Sequence, residues 1–220
     1  MKKNILFVIL ARKGSLRIKN KNMKIFNKKP LIAWTIEQAL RIKYPDKRVI
    51  LSSDSDLILT YANKYKNLEV VKRPKALATS YASSLDAIRH IINKLKYTGY
   101  IVLLQPTSPL RLDKDVEGFI NLILKGKTPC MSVCKCVHNS SLITNNNPPK
   151  KFKAINNKKQ ILYYPNGALY AAYSTWFEKN KTFYNKQTYT YLMPESRSID
   201  IDYDFQFEIS EALFKKTKRK

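Results

Sequence analysis

The chain has 220 residues, 44% of them hydrophobic, which is enough for one large α/β domain with a sizeable core. No apolar run approaches the roughly 20 residues that a membrane helix needs. The formal net charge of +25 directs attention to anionic partners, namely nucleic acid, an anionic membrane surface or a polyphosphate ligand. The lysines are spread over the whole chain, and no known nucleic-acid-binding motif is present. A basic nucleic-acid-binding protein therefore stays as the alternative interpretation.

In chain order, hydrophobic periodicity predicts alternating strands and helices. It predicts strands at 5–11, 48–52, 69–71, 100–104 and 130–136, and helices at 30–40, 54–66, 85–95 and 113–125. Pro30 is expected in the first turn of its helix, and Ser83 and Ser84 precede theirs. Strands that alternate with helices of this length imply a mainly parallel sheet with right-handed crossovers.

The apolar run at 5–11 could imitate a signal peptide, but it is followed by Arg12 and Lys13 and not by a small-residue cleavage site. We therefore expect a cytoplasmic protein. Cys130, Cys134 and Cys136 lie within seven residues, with His138 as the only nearby histidine. A zinc site and buried reduced thiols are both possible from this spacing, and the missing second cluster favours buried thiols.

Ligands of parallel sheets bind beyond the carboxyl ends of the strands, so the loops after residues 11, 52, 71 and 104 are the candidate site. The first loop combines Gly14 and Ser15 with Arg12, Arg17 and Lys21. Glycine permits close backbone approach, serine and backbone N–H groups donate hydrogen bonds, and the cations attract an anion. A solvated basic turn is the alternative for this loop alone. Four polar loops at one edge of the sheet favour a nucleotide-sized cleft.

Asp200-Ile201-Asp202 is the second chemically informative pattern. On an extended segment the two carboxylates lie on one side, because side chains alternate. Such a pair can bind Mg²⁺ directly or through water, since Mg²⁺ prefers hard oxygen ligands. The alternative is a solvated polar face opposite Ile199 and Ile201. The few acidic residues of the chain favour the Mg²⁺ site.

Taken together, these patterns resemble the acylneuraminate cytidylyltransferases, which include the CMP-legionaminate and CMP-pseudaminate synthetases. The resemblance runs from about residue 4 to 214. It is carried by Ala11-Arg12-Lys13-Gly14-Ser15, Lys21-Asn22, Lys29-Pro30-Leu31-Ile32-Ala33, Ser53-Asp54-Ser55, Arg73-Pro74, Ala82-Ser83-Ser84, Leu103-Leu104-Gln105-Pro106-Thr107-Ser108-Pro109-Leu110-Arg111, Asn166-Gly167-Ala168-Leu169-Tyr170 and Ser198-Ile199-Asp200-Ile201-Asp202.

The resemblance implies an α/β fold with a mainly parallel, Rossmann-like nucleotidyltransferase sheet flanked by helices, in a single domain over 1–220. It implies transfer of CMP from CTP to a nonulosonic, sialic-type acid with release of pyrophosphate, and neither nucleic acid nor a membrane as partner. An insertion near 137–165 is expected to form a homodimer, because the apolar residues 161–164 in it need a surface that buries them.

The resemblance also implies a role for each matching residue. CTP is expected at Arg12, Gly14, Ser15, Arg17, Lys21, Asn22, Arg73, Ala82 and Ser84, and the sugar acid at Gln105, Asn166, Gly167, Ala168 and Tyr170. Asp200 and Asp202 are the expected Mg²⁺ ligands, and Arg12, Lys21 and Asp202 are expected to be catalytic.

Four departures from the family pattern leave an inactive homologue open as a further alternative. Leu16 replaces a usual lysine, Ser80-Tyr81 replaces Asp-Thr, Gln206 replaces a further aspartate, and the segment around 158–160 is reduced. We expect Arg17 to supply the phosphate-binding charge that Leu16 lacks, because a guanidinium binds phosphate bidentately.

Overall fold

The computed structural model describes residues 4–15, 17–78, 83–135 and 163–217. Within these residues the main sheet has seven strands, which are β1 (Ile5–Leu10), β4 (Lys47–Ser53), β5 (Glu69–Lys72), β6 (Tyr100–Leu104), β7 (Cys130–Lys135), β8 (Tyr163–Tyr173) and β9 (Tyr189–Leu192). Their order across the sheet is β5-β4-β1-β6-β8-β7-β9. The short strands β2 (Ile25–Phe26) and β3 (Lys29–Pro30) form a separate antiparallel pair.

One half of the sheet is parallel, as the alternation of strands and helices predicts. β1 pairs in parallel with β4 and with β6, and β4 pairs in parallel with β5. The carboxyl ends of these four strands therefore meet at one edge. The four polar loops singled out in the sequence follow these ends, so the structure brings them together.

In the other half of the sheet the predicted strand at 130–136 is confirmed as β7, but the pairing of the strands was not predicted. β8 runs antiparallel between β6 and β7, and β9 pairs in parallel with β7. The sequence of β8 contains Pro165 and Gly167 and ends in small residues, so it lacks the strict apolar–polar alternation that indicates a strand. Its pairing with buried neighbours on both sides decides its structure.

The helices are α1 (Leu31–Arg41), α2 (Asp56–Ala62), α3 (Ser84–Leu95), α4 (Asp113–Leu124), α5 (Ser174–Asn180) and α6 (Asp204–Thr217). Two boundaries differ from the prediction. Pro30 is the N-cap of α1 and lies before its first turn, and α2 ends at Ala62 because Asn63 caps it. Ser83 caps α3 by accepting a hydrogen bond from the N–H of Leu85 (3.1 Å).

Apolar side chains form a cluster on each face of the sheet and a third cluster beside it. The third cluster matters for the site, because it joins distant segments of the chain. It contains Ile18 from the first polar loop, Ile201 from the Asp-Ile-Asp segment, and Phe207 and Phe214 from α6. Phe26 packs edge-on against both phenylalanines of α6, with ring centroids 5.4 Å apart in each pair.

Several sequence predictions concern the remaining segments. Cys130 and Cys134 are buried free thiols, as expected, whereas Cys136 and His138 lie outside the described residues.

Most of the 137–165 insertion also lies outside the described residues, so the homodimer stays a prediction. Among the helices that the structure describes, none has the length and apolar character to cross a bilayer.

Candidate active site

A cleft of about 500 Å³ opens at the carboxyl ends of the parallel strands. Its volume is within the range of small-molecule sites. It is lined by Leu10, Arg12, Ser15, Arg17, Ile18, Lys21, Asn22, Arg73, Ser84, Leu103, Gln105, Pro106, Thr107, Asp200 and Asp202. Four cations and two carboxylates thus converge on one space, as the sequence analysis anticipated.

The first polar loop forms one wall of this cleft. Arg12, Ser15 and Asn22 line it, and the Asn22 side-chain amide donates to the carbonyl oxygen of Arg12 (3.4 Å). A methyl group on Gly14 would meet no atom within 4 Å, and its backbone is not in the left-handed region. The fold therefore does not require a glycine here, and access of a ligand to the backbone remains the better reason for it.

Asp202 is held between two cations of this loop. Lys21 Nζ lies 3.0 Å from Asp202 Oδ1, and Arg17 lies 2.8 Å from Oδ2. Arg17 also sits over the ring of Tyr203, 4.9 Å from its centroid. Burial disfavours the charged form of Asp202, but Lys21 and Arg17 together lower the pKa of this carboxyl below its usual value.

Asp200 is more deeply buried than Asp202, and its pKa is shifted in the opposite direction. Its Oδ1 is buried and accepts no hydrogen bond from the described residues. Burial raises the pKa of Asp200 against the opposing hydrogen bond from Thr107, and the charge of Asp202 raises it further. Two neighbouring carboxyls whose pKa values are shifted in opposite directions are typical of functional sites.

Gly167 lies directly against the carboxylate of Asp200. Its φ of +76° is in the left-handed region, and a methyl group on it would come within 2.6 Å of Asp200 Oδ2. The sequence analysis expected Gly167 at the sugar. The structure shows a different reason for this glycine, because only a residue without a side chain leaves room for Asp200.

Arg73 contributes a buried cation. It is only 5% exposed, and it donates to the carbonyl oxygen of Ser52 (2.9 Å) and to the Ser52 hydroxyl (3.4 Å). Within the described chain, no carboxylate forms an ion pair with it. Burial lowers the pKa of Arg73; the charge of Asp54 opposes this shift, and nearby Arg12 adds to it. A buried cation that forms no direct ion pair at the wall of a cleft favours an anionic ligand.

The N-terminus of α3 faces the same cleft. Ser84, the first residue of this helix, lines the cleft, and the positive end of the helix dipole adds to the attraction for anions. Ala82, which the sequence analysis placed beside it, and Leu16 of the first loop lie outside the described residues.

Thr107 is a residue whose role the sequence analysis missed, although its motif was recognised. Gln105 and Thr107 both line the cleft, and the Thr107 carbonyl oxygen accepts a hydrogen bond from the N–H of Ile201 (2.8 Å). The Ile201 carbonyl oxygen accepts from Lys21 Nζ (2.6 Å). The loop after β6 and the first polar loop therefore both hold the peptide between the two aspartates.

Asn166 and Ala168 do not contact the cleft. Asn166 is 2% exposed. Its side-chain oxygen accepts hydrogen bonds from the Ser132 hydroxyl (2.6 Å) and from the N–H of Ala168 (3.2 Å). Its side-chain nitrogen donates a hydrogen bond to the Ser198 hydroxyl (2.9 Å). These bonds occupy the polar atoms of its amide, and Ala168 is fully buried. Asn166 connects β7 and β8 to the segment that carries Asp200, and it lines a second cavity together with that aspartate. The expectation that Asn166 and Ala168 bind the sugar stays a prediction.

Tyr170, the last of the expected sugar-binding residues, is partly buried against Phe183, with ring centroids 5.8 Å apart. Burial raises the pKa of Tyr170, and the charge of Asp200 contributes to the same shift. It is absent from the lining of the cleft among the residues described. Of the five sugar-binding candidates, Gln105 lines the cleft.

The family can be assigned at this point. A family model described as "Cytidylyltransferase" matches residues 6–219, which is nearly the whole chain. The chain belongs to the cytidylyltransferase family. The match includes the first polar loop, the loop after β6 and the Asp200–Asp202 segment, which line the cleft.

Three relatives illustrate the range of this family. The N-acylneuraminate cytidylyltransferase of Escherichia coli O18:K1:H7 is 31% identical over 100% of this chain and 54% of its own length. The chain thus spans about half the length of the first relatives that it matches. The CMP-N,N'-diacetyllegionaminic acid synthase of Legionella pneumophila is 28% identical, and the pseudaminic acid cytidylyltransferase of Campylobacter jejuni is 30% identical. These two matches cover 95% and 96% of both chains, respectively.

The fold also has solved counterparts. A structure of CMP:2-keto-3-deoxy-manno-octonic acid synthetase complexed with CTP superposes with a TM-score of 0.72, at 16% identity, over 98% of this chain and 100% of that chain. At this identity the likeness concerns the fold alone. It confirms the predicted α/β nucleotidyltransferase architecture of this family member.

The contact between Gly167 and Asp200 makes a testable prediction. Gly167→Ala will displace the Asp200 carboxylate, and we expect the rate of pyrophosphate release from CTP to fall roughly 100-fold, because small misplacements at a reacting centre are costly. Gly126→Ala is the matched control, since Gly126 has a similar φ of +80° but no atom within 4 Å of an added methyl group. Equal losses of activity in both variants would show that backbone strain, and not the contact with Asp200, is responsible.

Proposed function

We propose that this chain transfers CMP from CTP to a nonulosonic acid of the sialic type. In this reaction a hydroxyl oxygen of the sugar acid bonds to the α-phosphorus and loses its proton, and the bond from that phosphorus to the pyrophosphate breaks. The observation that carries the proposal is the convergence of Arg12, Arg17, Lys21 and Arg73 with Asp200 and Asp202 in one cleft. Three named relatives of this family support the choice of CTP and of the acid class.

The cations of the cleft match the charge of a triphosphate. Lys21 and Arg73 are largely buried and are held by protein oxygens, so little reorganisation accompanies their interaction with phosphate. Arg17 is about half exposed and can leave its ion pair with Asp202 at little cost, because exposed ion pairs contribute only about 0–1 kcal/mol. We propose that Arg17 binds the phosphates in this way, in place of the lysine that Leu16 replaces.

Asp200 and Asp202 fit a magnesium site. Both carboxylates line the cleft, and the buried Oδ1 of Asp200 lacks a hydrogen-bond partner among the described residues. Hard oxygen donors of this kind suit Mg²⁺, which keeps several waters and binds through one or two carboxylates plus substrate phosphates. When bound, Mg²⁺ would neutralise negative charge on the phosphates during transfer. Lys21, bonded to Asp202 and to the Ile201 carbonyl, would orient that carboxylate.

The first prediction from this proposal is the reaction itself. Purified protein with CTP, Mg²⁺ and N-acetylneuraminate, legionaminate or pseudaminate should release pyrophosphate with at least one acid of this panel. Omitting the acid is the control for simple CTP hydrolysis. If no acid leads to pyrophosphate release, the chain is an inactive homologue. If no acid does so and the protein binds DNA or RNA tightly with a strong salt dependence, the nucleic-acid alternative is favoured.

The second prediction concerns the carboxylates. Asp200→Asn and Asp202→Asn should each lower the turnover number by about 100-fold or more while the fold is retained, because the charge that would hold Mg²⁺ at the phosphates is lost. Asp204→Asn is the control, since Asp204 is exposed and pairs only with Lys24 in the described chain. Near-normal rates across a Mg²⁺ titration would remove the aspartates from the site.

A homodimer is the third prediction. Tyr163 and Tyr164 are 54% and 45% exposed at the start of β8, and Phe205 and Ile209 of α6 are similarly exposed. Tyr164, Phe205 and Ile209 surround a second cavity of about 340 Å³, which Asp200 also lines. We propose that a second copy of the chain covers this apolar surface. Light scattering at micromolar concentration in moderate salt should give the dimer mass, and a monomer mass for Tyr164→Asp would support this face.

A further inference from the structure

The beginning of α6 is bonded to the main chain of Asp202 through Gln206. We propose that Gln206 is a positioning residue, which holds the Asp202 carboxylate in place by accepting hydrogen bonds from the backbone N–H groups of Asp202 and Tyr203. This inference deepens the proposed function and rests on it, since Asp202 is one of the two proposed magnesium ligands.

The geometry of the contact is specific. The side-chain oxygen of Gln206 accepts a hydrogen bond from the N–H of Asp202 (2.7 Å) and another from the N–H of Tyr203 (2.9 Å). Gln206 is the third residue of α6, and a Glu or Gln at this position commonly reaches back to the N-cap backbone. In this protein the Gln206 side chain also reaches Asp202, one residue before Tyr203.

Gln206 completes a set of three hydrogen bonds on two consecutive peptide groups, those before and after Ile201. The N–H of Ile201 is bonded to the Thr107 carbonyl, and the Ile201 carbonyl is bonded to Lys21. The next N–H, that of Asp202, is bonded to Gln206. The loop after β6, the first polar loop and α6 thus each fix one polar atom of the same short segment. Among the described residues, the side-chain hydrogen bonds between this segment and α6 are those to Gln206.

The apolar packing makes α6 a firm support for this contact. Phe207, next to Gln206, is 4% exposed and shares the third cluster with Ile201, which is fully buried. Phe214 continues the same contact against Phe26. A shift of α6 would disturb the packing of these rings, so the helix holds the Gln206 amide in place. The amide in turn fixes the backbone of Asp202 through its hydrogen bond.

The neutral amide is chemically appropriate here. Asp200 and Asp202 already place two carboxylates at this edge of the cleft. A carboxylate at position 206 could accept the same two hydrogen bonds, but it would add a third negative charge beside them. Comparing the amide, a carboxylate and an apolar side chain at this position therefore separates hydrogen bonding from charge.

The experiment compares Gln206→Leu, which removes the acceptor, with Gln206→Glu, which keeps it. Gln187→Leu is the control, because Gln187 is exposed, does not line the cleft, and its side chain makes no hydrogen bond among the described residues. Hydrogen exchange of the peptide spanning 198–206, without nucleotide or metal, reports the two backbone bonds directly. Steady-state rates at saturating CTP and acid give the Mg²⁺ concentration for half-maximal activity.

We expect Gln206→Leu to accelerate exchange at Asp202 and Tyr203 and to raise the half-maximal Mg²⁺ concentration about tenfold, which corresponds to the loss of one or two ordinary hydrogen bonds. The KM for CTP should stay within about twofold of the wild-type value, because the cations are untouched. Gln206→Glu should retain wild-type exchange, and Gln187→Leu should match the wild type in both measurements.

Wild-type exchange and Mg²⁺ dependence in Gln206→Leu would overturn the inference, as would equal defects in the Leu and Glu variants. If Gln206→Leu does not fold, Gln206→Met replaces it with the same expectations, because it also lacks an amide oxygen. Failure of the wild type to release pyrophosphate would instead overturn the proposed function, while the exchange data would still test the hydrogen bonds.

Discussion

The arrangement of the site depends on one peptide segment, that of Ile201. Its side chain is fully buried beside Ile18, its N–H is bonded to the loop after β6, and its carbonyl is bonded to Lys21. The two polar groups of this residue are therefore bonded to two different loops, and its side chain packs against both the first polar loop and α6 in the third cluster. Because the flanking residues are Asp200 and Asp202, fixing this residue also fixes where the two carboxylates enter the cleft.

A buried arginine, Arg111, stabilises the loop after β6 at the same edge of the sheet. Arg111 is fully buried and donates to the carbonyl oxygens of Gln105 (3.3 Å) and Ala168 (2.8 Å), and to the side chains of Gln38 (2.8 Å) and Thr35 (3.3 Å). Burial lowers the pKa of Arg111 to about 10. Five N–H donors in a planar fork allow one guanidinium to tie together a loop, a strand and a helix. This explains why an arginine closes the Gln105–Arg111 motif.

The charge of the cleft shows how a very basic protein forms a specific anion site. Net charge alone favours any polyanion, because it acts through long-range attraction. Specificity requires cations whose positions are preorganised. Lys21 and Arg73 meet this requirement, since both are largely buried and bonded to backbone oxygens, whereas most lysines among the described residues are exposed. The two carboxylates lie at the same cleft and form the edge at which we propose that Mg²⁺ binds.

The sequence alone predicted the parallel strands, the four loops at their carboxyl ends and the family, because hydrophobic periodicity and contiguous motifs are local properties. It also placed Arg12, Lys21 and Arg73 together, since parallel strands end at a common edge. Asp200 and Asp202 were assigned to the same site only through the family resemblance. Only the tertiary structure decided why Asn166 and Gly167 are required: one joins Ser132 to Ser198, and the other leaves room for Asp200. Such roles depend on contacts between residues more than 30 positions apart in the chain, and no local pattern records which distant side chain will lie against a given backbone atom.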